Sequence, residues 1–278
     1  MNHFDKFDIR VFDKFIEKFA DRYIKQRSEL FCGISEELLE QAEAVECGFD
    51  IGSLLKIVRQ NSVASDPQRD AGGKPVAFKD IYRSDLGELL TTYYFEEKIS
   101  EERRFLIPLK NISYRERPDM PGRGFDAIGY RTELDKVNVL IGEAKVSSQK
   151  ENPPHVVDKS EDSIYMSQKS HHDNTGMVLQ RLTDYLRRLP SNNNHFLVIA
   201  GVVINMKMRN TDRYDITYGC GLVRDYQCVD ETKDFGKMRS LSHEFEPGIV
   251  DFVIFSFTEK TIDETVELFY QKVKEMIQ

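Results

Sequence analysis

Two carboxylates and a lysine carry the strongest chemical signal in this chain. Asp126 sits in Gly124-Phe125-Asp126-Ala127-Ile128, so its carboxylate projects from an apolar stretch that reads as a strand. Glu143, separated from it by sixteen residues, opens Glu143-Ala144-Lys145 at the end of the apolar run Val139-Leu140-Ile141. On a strand, residues i and i+2 share a face, so Glu143 and Lys145 point together while Ala144 turns away. If the two strands are neighbours, Asp126 joins that face. Mg2+ takes oxygen ligands and usually keeps several waters while using one or two carboxylates. Asp126, Glu143 and the main-chain carbonyl of Ala144 can hold one such ion, with Mn2+ as a substitute. The ion would acidify a bound water and neutralise charge building on a phosphoryl oxygen. Lys145 can orient that water and stabilise the pentacovalent phosphate. This is minimal equipment for phosphodiester hydrolysis.

The pattern is more specific than its shortest part. Glu-x-Lys occurs at Glu96-Glu97-Lys98, Glu143-Ala144-Lys145 and Glu231-Thr232-Lys233, but only the middle copy follows an apolar strand and has an aspartate on the strand before it. Burying three charges side by side is costly without a metal or a function. The competing reading is a solvated ion pair on edge strands.

Several elements must position these groups. Phe12, Ile16, Phe19 and Tyr23 recur at helical spacing, as do Leu38, Leu39 and Ala42, so the first eighty or so residues read as mainly helical. The Gly-, Pro-, Asp- and Ser-rich stretch Asn61 to Lys74 reads as a loop and divides a helical region, 1–75, from a domain spanning 76–278. A helix follows, with Asp85 and Glu88 spaced like a capping box and Leu86, Leu89, Leu90, Tyr93 and Tyr94 on one apolar face. Strands are expected at 105–109, 124–130 and 137–146, then a long polar loop from Ser147 to Asn174. A second helix buries Val178, Leu182, Tyr185, Leu186 and Leu189 and stops at Pro190. Three more strands are expected, at 196–204, 216–223 and 249–257, before a last helix that buries Ile262, Val266, Phe269, Val273 and Met276. This order predicts an α/β fold, a mixed sheet flanked by helices.

Charge and composition narrow the functional classes. The chain has 278 residues, 47 acidic and 39 basic, for a formal net charge of −8. That excludes a uniformly basic nucleic-acid binder and predicts weak, salt-sensitive DNA binding by this chain alone. Between Arg103 and Arg123, however, six cations (Arg103, Arg104, Lys110, Arg115, Arg117, Arg123) face two acids, and Arg115, Arg117 and Arg123 are candidate DNA contacts. Lys136, Lys150, Lys159 and Lys169 can extend such a rim. His155, His171 and His172 lie in the polar tract, where a general base is conceivable. Cys32, Cys47, Cys220 and Cys228 form no CxxC pair, which suits reduced thiols in a cytoplasmic protein rather than a zinc site. No apolar run approaches the roughly 20 residues of a membrane helix, and the N-terminus lacks signal-peptide character, so neither a membrane nor export is expected.

The Asp126–Glu143–Ala144–Lys145 pattern resembles the PD-(D/E)xK nuclease superfamily, whose restriction-endonuclease-like core is a mixed sheet flanked by helices. The resemblance implies Asp126 and Glu143 as metal ligands and Lys145 as the catalytic lysine. In many members a glutamate on the preceding helix joins the site; Glu88 matches that position, with a capping role beside Asp85 as the alternative. Exonuclease-type members carry Gln and Tyr with three residues between them, whereas four separate Gln180 from Tyr185, a departure from that pattern. The wording PGRGFDAIGYR, VLIGEAKVS and DLGELL is similar to the HamA subunits of Hachiman antiphage defence, over roughly Ile81 to Leu189. That likeness implies a DNA nuclease effector held by a helicase partner, HamB. The alternatives are a catalytically silent nuclease-fold regulatory subunit, or a metal-dependent hydrolase of RNA or nucleotides. Oligomeric state is left open.

Overall fold

The computed structural model describes residues 1–28, 51–64, 79–115, 124–187 and 194–278. Among them, six strands form one mixed sheet: β1 (His3–Ile9), β2 (Leu106–Lys110), β3 (Ala127–Thr132), β4 (Val137–Ser147), β5 (Tyr214–Asp225) and β6 (Ile249–Phe257). Their spatial order is β1-β6-β5-β4-β3-β2. The first four in that order run parallel, and β3 and β2 are antiparallel additions beside β4. Central strands covered on both faces read as continuous apolar runs, and β4, β5 and β6 are buried along most of their lengths.

Helices of ten or more residues cover the two faces: α1 (Asp13–Ser28), α2 (Ile51–Ser62), α3 (Lys79–Tyr93), α4 (Ile164–Asp173), α5 (Thr175–Leu186), α6 (Asn194–Met208) and α7 (Ile262–Ile277). On one face Phe19 and Tyr23 of α1, Leu86 and Leu89 of α3 and Phe269 of α7 pack with Phe255 of the sheet. Each such side chain contributes about 2–3 kcal/mol on burial. On the other, Leu182 of α5 and Val202 of α6 pack with Ile141, Phe252 and Ile254. Helix α7 starts in a capping box between Thr261 and Glu264, a feature worth about 1 kcal/mol. Helix α3 lies close on β4 because position 87 is glycine: a Cβ there would meet Val146 Cγ2 at 2.7 Å.

The α/β architecture with helices at the N-terminal end is as the sequence predicts, but four elements differ. Residues 3–9, expected within a helical region, form β1 and pair with β6. Residues 196–204, expected as a strand, lie inside α6, whose Leu197, Ile204 and Met208 are exposed. Residues 147–174, expected as a loop, contain a short helix at His155–Asp158 and all of α4. Helix α3 starts at Lys79, so Asp85 and Glu88 lie in its interior and do not cap it. In α7, Tyr270 and Ile277 are buried while Met276 is exposed. Leu38, Leu39, Ala42, Leu189, Pro190 and positions 65–74 of the expected boundary loop fall outside the described residues.

Candidate active site

Asp126 is delivered by the turn that enters β3. Gly124 takes φ +115°, a conformation that favours glycine. The Tyr185 hydroxyl of α5 donates to the Phe125 carbonyl at 3.3 Å, and the Asn111 N–H donates to the Asp126 carbonyl at 2.8 Å. The antiparallel register pairs Ala127 with Gly142, which sets Asp126 beside the start of Glu143-Ala144-Lys145. There the Ala144 N–H donates to Asp126 Oδ2 at 2.7 Å. Glu143 Oε1 lies 3.0 Å from Lys145 Nζ. Ser167 of α4 also bonds the Glu143 carboxylate. Asp162, just before α4, comes within 3.7 Å of Lys145 from an exposed position. The aspartate, the glutamate and the lysine thus meet at one place, on a buried part of the sheet.

Their ionisation is strained in a consistent direction. Burial pushes Glu143 up to about 8, and the nearby Asp126 charge adds to that, against the pull of Lys145 and Ser167. Burial also raises Asp126, with the Ala144 N–H, Lys145 and Arg115 opposing it. Burial alone would lower Lys145, but the charges of Glu143 and Asp126 outweigh it and hold the ammonium protonated. Two carboxylates share one ammonium.

Glu88 approaches from α3. Its Oε1 pairs with Arg115 Nη2, while Arg115 Nη1 pairs with Asp85. Asp85 also accepts from the Tyr270 hydroxyl of α7 at 2.7 Å. Arg27 of α1 pins the same segment, donating from Nη1 to the Arg115 carbonyl at 3.2 Å. Burial raises Glu88 well above the usual carboxylate range despite Arg115, and Asp126 and Asp85 raise it further. Its second oxygen, Oε2, is buried with no hydrogen-bond partner among the described residues. Glu88, Asp126 and Glu143 are thus crowded beside Arg115 and Lys145, and all three carboxyls are raised by burial. A divalent cation there would favour their ionised forms.

The residues therefore suit a hard divalent ion. Among the described residues no group of three or more His, Cys, Asp or Glu side chains is arranged to hold a metal. Asp126, Glu143 and the Ala144 carbonyl are the donors on offer, and the small share of protein ligands is what Mg2+ accepts and Zn2+ does not.

Other expected residues sit elsewhere. Arg115 is buried between Asp85 and Glu88 rather than on a phosphate-binding rim. Arg103 is paired with Asp251 at 2.8 Å and Lys110 with Glu96 at 3.0 Å. Three of the four described cations of this segment are thus paired with acids brought from other elements, which a count along the sequence cannot see. Arg117 and Arg123 fall outside the described residues. Lys136 pairs with Asp215 and Lys169 with Asp173. His171 packs edge-on against Phe125 at 4.5 Å and is pushed down to about 4 by burial and by Arg181, so it is neutral at physiological pH and buttresses the Asp126 turn. His172 bonds the Tyr218 hydroxyl at 3.0 Å, and His155 is exposed. Gln180 is exposed on the α5–α6 side, while Tyr185 supports Phe125. Cys220 is a buried free thiol raised well above its usual range by burial, Cys228 is also free, and Cys32 and Cys47 are not described.

Sequence reasoning missed Ser167, Asp162 and Gln168. Gln168 is buried and donates from Nε2 to the Ile141 and Gly219 carbonyls at 3.0 and 3.2 Å, clamping β4 to β5 just below Glu143. The one available signal was Ser163, which caps α4 by accepting from the Met166 N–H.

The HamA family model matches residues 10–273, nearly the whole chain and all of the site. The chain belongs to the HamA family. This membership supports a role as a subunit of Hachiman antiphage defence. No curated protein and no solved structure compared with it matches. Among the described residues, no helix is long and apolar enough to cross a membrane.

Proposed function

We propose that this HamA-family chain is a Mg2+-dependent DNA nuclease of the PD-(D/E)xK kind, working as the effector subunit of a helicase-coupled Hachiman complex. The observation that carries the proposal is the convergence of Asp126, Glu143 and Lys145, with burial raising both carboxyls. Mg2+ or Mn2+, held by Asp126, Glu143 and the Ala144 carbonyl, would supply an acidified water and neutralise phosphoryl charge. The protein's own groups do the rest. The Ala144 N–H fixes the orientation of Asp126. Ser167 and Lys145 hold Glu143 in place. Lys145 presents a charge that stabilises the phosphorane more than the ground state, which is the part of binding that accelerates a reaction. Glu88, paired with Arg115 and close enough to Asp126 to feel its charge, has one oxygen without a hydrogen-bond partner among the described residues and would offer a further acceptor beside the ion.

The net charge of −8 supports a partner that delivers the DNA, because long-range attraction to phosphate is lacking. HamB, a helicase, fits that task. A silent regulatory subunit is favoured by one feature, the engagement of Lys145 by both Glu143 and Asp162. Incubating the chain, with and without its helicase, on plasmid DNA, linear DNA and single-stranded RNA separates these readings. Divalent-dependent DNA cleavage that disappears in the Glu143→Ala, Lys145→Ala double variant is expected. Undiminished cleavage by that variant would sink the assignment, and cleavage confined to RNA would change its substrate.

A further inference from the structure

Strand β1 is the outermost strand of the sheet, with β6 as its only partner among the described residues. Alternate residues along such a strand present unpaired N–H and C=O groups outward, an opening that proteins usually block with free charges. Here the charged side chains of β1 are engaged within the chain. Asp5 accepts from the Tyr94 hydroxyl at 2.6 Å, Lys6 pairs with Glu231 at 2.7 Å, and Asp8 accepts from the Ser256 hydroxyl at 2.7 Å.

Beside the C-terminal half of β1 runs a groove of about 480 Å³ between β1, α1 and α3. Its floor is apolar, formed by Phe7, Phe15, Phe19 and Tyr93, and Phe12 stands at its lip with 54% of its surface exposed. Its rim carries Arg10, Lys14, Lys18 and Lys98 against one acid, Asp8, whose charge is met by Lys6 at 3.2 Å. Lys18 is tied to Glu97 and lies 4.3 Å from the Tyr93 ring centroid. Among the described residues none forms an ion pair with Arg10, Lys14 or Lys98, and Lys98 rests over the Phe7 and Tyr93 rings at 5.7 Å. Three uncompensated cations around an apolar trough stand out on a chain whose net charge is −8.

We propose that the β1 edge and this groove receive an extended acidic segment of a partner protein, added as a further strand. The backbone of the segment continues the sheet at β1, which supplies affinity without regard to side chains. Its apolar residues, one in two along a strand, enter the trough over Phe7, Phe15 and Tyr93, and its carboxylates meet Arg10, Lys14 and Lys98. Nucleic acid fits less well, because it has no amide ladder to match the edge. Phe15, moreover, is packed against Phe19 at 4.6 Å and Phe257 at 6.4 Å instead of standing as a stacking platform. The proposal is independent of the nuclease assignment.

The test uses the full chain and three fluorescein-labelled probes. One is a ten-residue peptide alternating Glu with Val and Phe, the second is the same peptide with Lys for Glu, and the third is a single-stranded oligonucleotide. By anisotropy the Glu peptide binds at least about tenfold tighter than the Lys peptide, and Arg10→Glu with Lys14→Glu weakens it at least about tenfold. Both positions are exposed, so this double variant keeps its fold, which circular dichroism checks. Hydrogen exchange slows at the outward-facing amides of β1 when the Glu peptide is bound. Equal binding of the two peptides, no binding of the Glu peptide, or displacement of it by the oligonucleotide would overturn the proposal. So would concentration-dependent dimerisation lost in the double variant, which would make a second copy the occupant.

Discussion

Two buried charge centres lie on the same face of the sheet, and they are built on opposite principles. Arg224 of β5 is fully buried, and its guanidinium is matched throughout. Nη1 donates to the Gln149 carbonyl at 2.7 Å, Nη2 to the Cys228 carbonyl at 2.7 Å and to Asn152 Oδ1 at 2.9 Å, and Nε faces Asp234 at 3.3 Å. It stitches the chain after β4 to the chain after β5. A few residues back along β4, Glu143 and the Asp126 of the turn into β3 share the single ammonium of Lys145, and burial raises both carboxylates. The Arg224 guanidinium is complete as it stands, although Asp234 Oδ1 has no hydrogen-bond partner among the described residues and burial raises that carboxyl. The second sets two carboxyls raised by burial beside a single ammonium, an arrangement that suits the proposed cation and reaction better than a structural joint.

The largest expected effect belongs to the Arg224 centre. Arg224→Met strands Asp234 and several buried carbonyls, and should cost about 3–5 kcal/mol in urea unfolding, with no relief from Mg2+. A loss below about 1 kcal/mol would show that the centre is not structural. Lys145→Met should reverse the pattern. Turnover falls about 10²–10³-fold, while stability changes by about 1 kcal/mol or less, because the carboxylates can take up a proton instead. A variant that unfolds, or one that still turns over normally, would erase the contrast.

The pH response sharpens it further. Glu143 has an ordinary value of 4.5 and is pushed up to about 8 in the fold. The folded chain therefore holds this proton more tightly than the unfolded one. Its contribution to stability is full below about 4.5 and is lost as pH rises through about 8. In EDTA, urea midpoints measured from pH 5 to 8.5 should decline more steeply for the natural protein than for Glu143→Gln, and Mg2+ should remove the difference. Parallel slopes in EDTA would contradict the raised carboxylate. The smallest effect is expected at Gln180, which is exposed and away from both centres. Gln180→Ala should shift stability by no more than about 0.5 kcal/mol and leave cleavage unchanged.

The Lys145 centre was legible in the sequence because strand alternation fixes faces. An aspartate in one apolar strand and Glu-x-Lys at the end of the next are enough to bring three groups together if those strands pair. The Arg224 centre was not legible. Arg224 follows the apolar run Gly221-Leu222-Val223, and nothing local shows that acceptors from the end of β4, the chain after it and the chain after β5 will close on it. Arg115 failed for the same reason: its partners Asp85 and Glu88 lie on a helix about thirty residues away in sequence. Local pattern also misjudged α6, whose β-branched run Val198-Ile199 and Val202-Val203-Ile204 has strand composition but helical form. In β1, Phe4 and Phe7 stand three apart, a spacing that imitates a helix face, and only pairing with β6 makes a strand of it.

The direct measurement is Mn2+ binding followed by the electron paramagnetic resonance signal of the free ion. The natural chain should remove one equivalent of Mn2+ from solution at neutral pH. Asp126→Asn and Glu143→Gln should each abolish that uptake, while Arg10→Glu with Lys14→Glu leaves it intact. Uptake that survives both carboxylate substitutions, or no uptake by the natural chain, would contradict a metal site at Asp126 and Glu143.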